Sequence, residues 1–135
     1  MKKVIVFGLV VLSFALIVYS QTTSQQNKDL EKAIYSIVEN DENDVIKIAA
    51  ITDFNWDKAF LFEPYTPQQH MEEKLGVKYK DRSNISMRDD IYLLVFLHEE
   101  KVVQYAEMNR QRNSFSIGNK EYLTPDNDTV YIDRH

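Results

Sequence analysis

Three acidic clusters and one histidine-bearing segment hold the residue types from which a metal or acid–base site could be assembled. Asp53-x-Asn55-x-Asp57 reproduces the first three oxygen ligands of an EF-hand calcium loop. The loop's glycine position is Lys58, however, and its twelfth, which must be a bidentate glutamate, is Pro64. A turn rich in Asx residues between two strands accounts for the pattern. Asp126-Asn127-Asp128 and the group Asp41, Glu42 and Asp44 read the same way, as solvated turns. His70 and Glu73 stand at i,i+3 and could share one ion, but a pair is short of the three protein ligands of a catalytic zinc. His98 falls in an expected hairpin turn and His135 ends the given sequence, so neither joins them by spacing. Asp89-Asp90 and Glu99-Glu100 are adjacent pairs, which extended backbone points to opposite faces. There is no Gly-x-Ser-x-Gly elbow, no glycine-rich phosphate loop and no cysteine. These residues imply no cofactor, no metal site and no enzyme. The enzymatic alternative is a hydrolase or metal-dependent enzyme assembled from scattered His70, Glu73 and Asp57.

Aromatic residues offer a different chemistry. Phe54, Trp56, Phe60, Phe62 and Tyr65 crowd around Asp57, Lys58, Glu63 and Pro64. They pack a strand and a corner, or else they line a recognition surface with Trp56, Asp57, Lys58 and Tyr65 as candidate binding residues. Trp and Tyr are favoured anchors at interfaces. Whether Trp56 and Tyr65 lie in the core or on an open face separates the two readings.

The elements that must position these residues follow from periodicity. Leu30, Ala33, Ile34, Ile37 and Val38 form an apolar stripe at helical spacing, opposite Lys28, Asp29, Glu31, Lys32 and Glu39, with Thr23, Ser24 or Asn27 available to cap it. Residues 45–52 carry four β-branched aliphatics and predict a strand. Residues 58–62 predict another, with Phe60 and Phe62 on one face. Thr66, Pro67 and Gln69 match a capping box opening a short helix that carries Met71 and Leu75, and Gly76 supplies its left-handed stop. A polar loop over residues 77–90 leads to residues 91–97, apolar on both faces and hence a central, covered strand. A turn at residues 98–101, a returning strand over 102–108, a short strand at Phe115 and Ile117, and a terminal edge strand over 129–132 complete the chain. The expected fold is α+β: a two-layer domain with two helices on one face of a mostly antiparallel sheet of about five strands.

Upstream of this domain the chain reads as a targeting segment. Lys2 and Lys3 precede residues 4–19, apolar except for Gly8 and Ser13. That length lies between a signal-peptide core and a spanning helix. Val18-Tyr19-Ser20 permits cleavage after Ser20. The expected division is a signal peptide or membrane anchor over residues 1–20, a polar linker over 21–27 and one domain over 28–135. The location is then exported: periplasmic, secreted or anchored on the outer face. Membrane contact would come only through residues 4–19, if they are uncleaved. A net charge of −5, with two of the cations inside that segment, disfavours nucleic acid and anionic lipid as partners. Asn84-Ile85-Ser86 and Asn127-Asp128-Thr129 fit the glycosylation sequon, which matters only in a eukaryotic secretory route.

The run Thr52-Asp53-Phe54-x-Trp56-Asp57-Lys58, with Phe62-x-Pro64-Tyr65-Thr66-Pro67 and Leu75-Gly76-Val77, resembles a group of small exported bacterial proteins of unknown activity. They share a Trp-Asp-Lys and Pro-Tyr-Thr-Pro core followed by a hairpin, and the likeness spans roughly residues 52–109. It implies export and brings no activity with it. Lacking cysteine, this chain departs from the lipoprotein members, so a covalent lipid anchor is out of reach. The combined expectation is a non-enzymatic exported module that binds a protein or a cell-envelope component. The alternative within that class is a membrane-tethered accessory domain.

Overall fold

Residues 24–135 are described by the computed structural model. β1 (Gln25–Gln26) runs into α1 (Lys28–Glu39), then β2 (Val45–Lys47), a 3₁₀ turn (Ala49–Ile51), β3 (Lys58–Phe62) and α2 (Gln68–Leu75). A second 3₁₀ turn (Ile85–Met87) precedes β4 (Ile91–His98), β5 (Lys101–Asn109), β6 (Asn113–Ser116) and β7 (Thr129–Arg134). The class is α+β. The strands divide between a sheet of order β1-β5-β4-β3 and a smaller one of order β2-β7-β6.

β4 organises the packing, because the sequence Ile-Tyr-Leu-Leu-Val-Phe-Leu leaves it no polar face. Tyr92, Leu94 and Phe96 join one core with Leu30, Ile34 and Val38 of α1 and with Ile46, Phe115, Val130 and Ile132 of the smaller sheet. Ile91, Leu93, Val95 and Leu97 point the other way. They join a second core with Phe60 and Phe62, with Met71 and Leu75 of α2, and with Tyr79 and Ile85 of the loop that follows. The four-stranded sheet is therefore the middle of three layers. β3 and β5 take up the backbone groups of β4 on either side, so the central strand is dry and still hydrogen-bonded.

Both helices are fixed at their ends by side chains or glycine. Asn27 Oδ1 accepts the Leu30 N–H at 2.9 Å and caps α1. The Glu31 carboxylate accepts the Glu107 N–H at 2.8 Å, continuing the cover that β1 begins on the edge of β5. The last turn of α1 holds no basic residue. Arg134 of β7 supplies the cation instead, donating to the carbonyls of Val38 (2.9 Å), Asn40 (2.9 Å) and Asn43 (2.7 Å). α2 ends at Gly76, whose φ of 73° lets its N–H reach the Glu72 carbonyl.

Several expectations need correction. The single sheet with both helices on one face becomes two sheets with the helices on opposite faces, since a strand apolar on both sides must be covered on both. The linker assigned to residues 21–27 is in part β-structure: β1 pairs parallel with β5, Gln25 opposite Gln104, and Asn27 caps α1. The strand expected over residues 45–52 stops at Lys47, because the Asp128 carboxylate takes the Ala49 N–H at 2.7 Å and the chain turns. β7 is the centre of its sheet rather than an edge. Thr66 does not cap α2; its hydroxyl donates to the Glu63 carbonyl, and Pro67 occupies the cap position without a side-chain bond. Within the loop over residues 77–90, Tyr79, Ser83 and Ile85 are buried. The export segment, residues 1–20, lies outside the described residues. Among those described, no helix is long and apolar enough to cross a membrane.

Candidate functional site

The four candidate binding residues do not share one surface. Trp56 is only 7% exposed and belongs to the α1-side core. Its ring meets Phe96 edge-on at 5.3 Å, and its indole N–H donates to Thr52 Oγ1 at 3.0 Å. Trp56 is thus packing and is removed from the candidate surface. The aromatic crowding that suggested recognition is explained by two cores meeting along neighbouring strands: Phe54 and Trp56 serve one, Phe60 and Phe62 the other.

Asp57 and Lys58 lie at the turn end of the large sheet, beside the loop joining β4 to β5. Asp57 donates its backbone N–H to the Leu97 carbonyl at 2.8 Å, and its Oδ2 accepts the Glu99 N–H at 2.8 Å. That carboxylate is spent on the turn, not on a calcium loop. His98 sits between two acids, Nδ1 3.8 Å from Asp57 and Nε2 3.8 Å from Glu99. The turn itself is unusual. Glu99 (φ 51°) and Glu100 (φ 65°) occupy both left-handed positions of a two-residue hairpin loop, where Asn-Gly is the common choice. Left-handed backbone costs a residue with a β-carbon roughly 1–2 kcal/mol. Lys58 turns its ammonium over the Tyr122 ring, 4.8 Å from the centroid. Asp57, Lys58, Glu99 and Glu100 rim a groove of about 580 Å³ whose remaining walls are Leu75, Gly76, Val77 and Leu97.

Tyr65 lies at the other end of the sheet, past the last residue of β3. It is 60% exposed, and its φ of 66° is rare for an aromatic residue. Its N–H reaches the carbonyls of Ile85 (3.0 Å) and Arg88 (3.2 Å), clamping it to the turn that carries Met87, which is 74% exposed. Arg88 anchors that turn. Its guanidinium pairs with both Asp90 oxygens at 2.8 Å and also reaches Glu107 (2.9 Å) and the Ser83 carbonyl (3.0 Å). The paired bonds from Arg88 hold the Asp90 carboxyl below the usual carboxylate range. Asp81 folds the preceding loop, accepting from Ser83 N–H (2.9 Å), Ser83 hydroxyl (2.6 Å) and Ile85 N–H (3.0 Å). Burial first, and the Asp81 charge second, push the Tyr79 phenol well above its ordinary value.

The remaining chemical candidates are dispersed. His70 and Glu73 are exposed on α2, away from any partner acid that would complete a site. Among the described residues no group of three His, Asp or Glu side chains is placed to hold a metal ion. Asp128 is a buried cap, and Asp41 faces Arg134 at 3.6 Å. A second groove, of about 560 Å³, runs between Lys28, Lys32 and Tyr35 of α1 and the Arg88, Asp90 and Glu107 cluster. Its charges on the strand side are already paired with one another. Sequence reasoning missed Met87 altogether, and it placed Glu99 and Glu100 in a polar hairpin turn without giving them a role in a site. A Glu-Glu pair between two apolar strands was the one available signal; a lone methionine in a polar loop carries none.

Comparison with protein-family models, with curated proteins and with solved structures gives no match to this chain.

Proposed function

We propose that the chain is an exported, non-enzymatic binding module that docks a protein of the cell envelope through the end of the sheet carrying Tyr65 and Met87. The observation that carries this reading is the pair itself. Two large apolar side chains are held in solvent by backbone that Arg88, Asp81 and the Tyr65 N–H bonds fix in place. Tyr and Met are enriched at interfaces, and a pre-ordered anchor loses little entropy on docking. The strained backbone at Tyr65 fits a position kept for something other than stability.

The point of chain entry supports the same end. Gln25 pairs with Gln104, three residues from the start of β5, so the polypeptide enters near the Glu99–Glu100 turn. Tyr65 and Met87 lie at the opposite end, about 20 Å away by strand rise. A tether at residues 4–19 would leave them facing outward, and a cleaved chain would leave them equally free.

The test is capture from the envelope fraction of the producing cell by the wild-type protein and by Y65S/M87S, with circular dichroism to confirm that both are folded. A protein held by the wild type and lost by the double variant is expected. Equal capture by both, or capture by neither, overturns the reading. The native N-terminus decides the form of export: a mass starting at Gln21 means cleavage after Ser20, and an intact N-terminus in the membrane fraction means an anchor.

A further inference from the structure

The groove at the turn end combines an aliphatic floor with an acidic rim. Leu75 and Leu97 are buried at its base, half-buried Val77 forms a wall, and at Gly76 a side chain would meet nothing within 4 Å. The rim carries Asp57, Glu99 and Glu100. The Asp57 side chain is 49% exposed and that of Glu99 83%. Lys58, the one cation in the lining, is drawn onto the Tyr122 ring and pairs with none of the three. The charged neighbour of Glu99 is the His98 ring, its Nε2 3.8 Å from the carboxylate. Two glutamates thus stand at strained positions where Asn and Gly would fold more readily, and both line a groove of mixed polar and aliphatic walls.

We propose that this groove docks an extended, lysine- or arginine-bearing segment of a partner protein. The stem of such a side chain is aliphatic and its head is cationic. The stem lies along half-buried Val77 and the exposed edges of Leu75 and Leu97, and the head meets Glu99 and Glu100, with Asp57, held on the turn by the Glu99 N–H, adding its charge and the open space over Gly76 admitting the partner backbone. An acidic ligand is repelled by the same rim, and a purely apolar one would leave the carboxylates facing a dry surface. This surface lies at the opposite end of the sheet from Tyr65 and Met87 and stands whether or not that end docks anything.

The test uses the purified protein and two fluorescently labelled pentapeptides, Lys-Val-Lys-Val-Lys and Glu-Val-Glu-Val-Glu, followed by anisotropy and by amide shifts. Binding of the lysine peptide with shifts at Gly76, Val77 and Glu100 is expected, weakening as salt is raised. The variant E99N/E100G removes two carboxylates while relaxing the turn, so its fold is secure; it should bind about tenfold more weakly. A remote charge variant, D41N/E42Q, should bind as the wild type does. The proposal is overturned by no binding, by equal loss in both variants (attraction to net charge alone), by shifts located elsewhere, or by equal binding of the glutamate peptide. Calcium ions reproducing the same shifts and displacing the peptide would also overturn it, since the groove would then be a cation site.

Discussion

Replacing Arg134 by Met keeps the aliphatic stem and deletes the guanidinium that closes the end of α1. Three carbonyls, those of Val38, Asn40 and Asn43, then lose donors at 2.7–2.9 Å. Asn40 is exposed and regains water, whereas the bonds to Val38 and Asn43 are partly buried. At about 1 kcal/mol for each partly buried charged bond, with roughly 0.5 kcal/mol from the helix dipole, the loss comes to about 2–3 kcal/mol. The contact with Asp41 adds nothing, because that acid is 94% exposed. In urea the midpoint should fall by about 1–2 M. Amide exchange in the last turn of α1 should rise more than in β4, since the cap acts locally. Arg134→Lys retains the charge but lacks the planar fork, and should recover about half of the loss. An unfolding free energy for the Met variant within about 0.5 kcal/mol of the wild type would refute the capping argument. A Lys variant as stable as the wild type would show that charge, not fork geometry, closes the helix.

Two further outcomes follow from packing and titration. Trp56→Ala removes a ring that is 7% exposed and packed on Phe96, and should cost about 3–5 kcal/mol in chemical denaturation; an unchanged midpoint would mean that the ring does not pack. The Tyr79 phenol is raised above its ordinary value by burial and then by Asp81, so its contribution is intact below about pH 10 and is lost as pH rises through the higher folded-state value. Tyr79→Phe should therefore flatten the alkaline fall in the urea midpoint above about pH 10, and an unaltered slope in that variant would assign the effect to other groups.

Much of the local structure was legible from residue spacing. The stripe from Leu30 to Val38, the stop at Gly76 and the doubly apolar run at Ile91 each depend on neighbours within a few positions, and each forms as expected. The capping box at Thr66 failed although its pattern was present, because the hydroxyl found the Glu63 carbonyl closer than the helix. For the candidate site the reading was weaker. Crowded aromatics looked alike as core or as surface, and only the packing separates buried Trp56 from exposed Tyr65.

By itself, the amino-acid sequence determined an acidic α+β domain without cysteine, and a central strand that had to be covered on both faces. Tertiary structure alone decided that two sheets, not one, share the strands. It also placed Asp57 and Lys58 at one end of the large sheet and Tyr65 at the other, and sent Arg134 back to close a helix 96 residues earlier in the chain. The physical reason is range: helical and strand periodicity are written in adjacent residues, whereas caps, grooves and exposure depend on partners that the chain brings together only on folding.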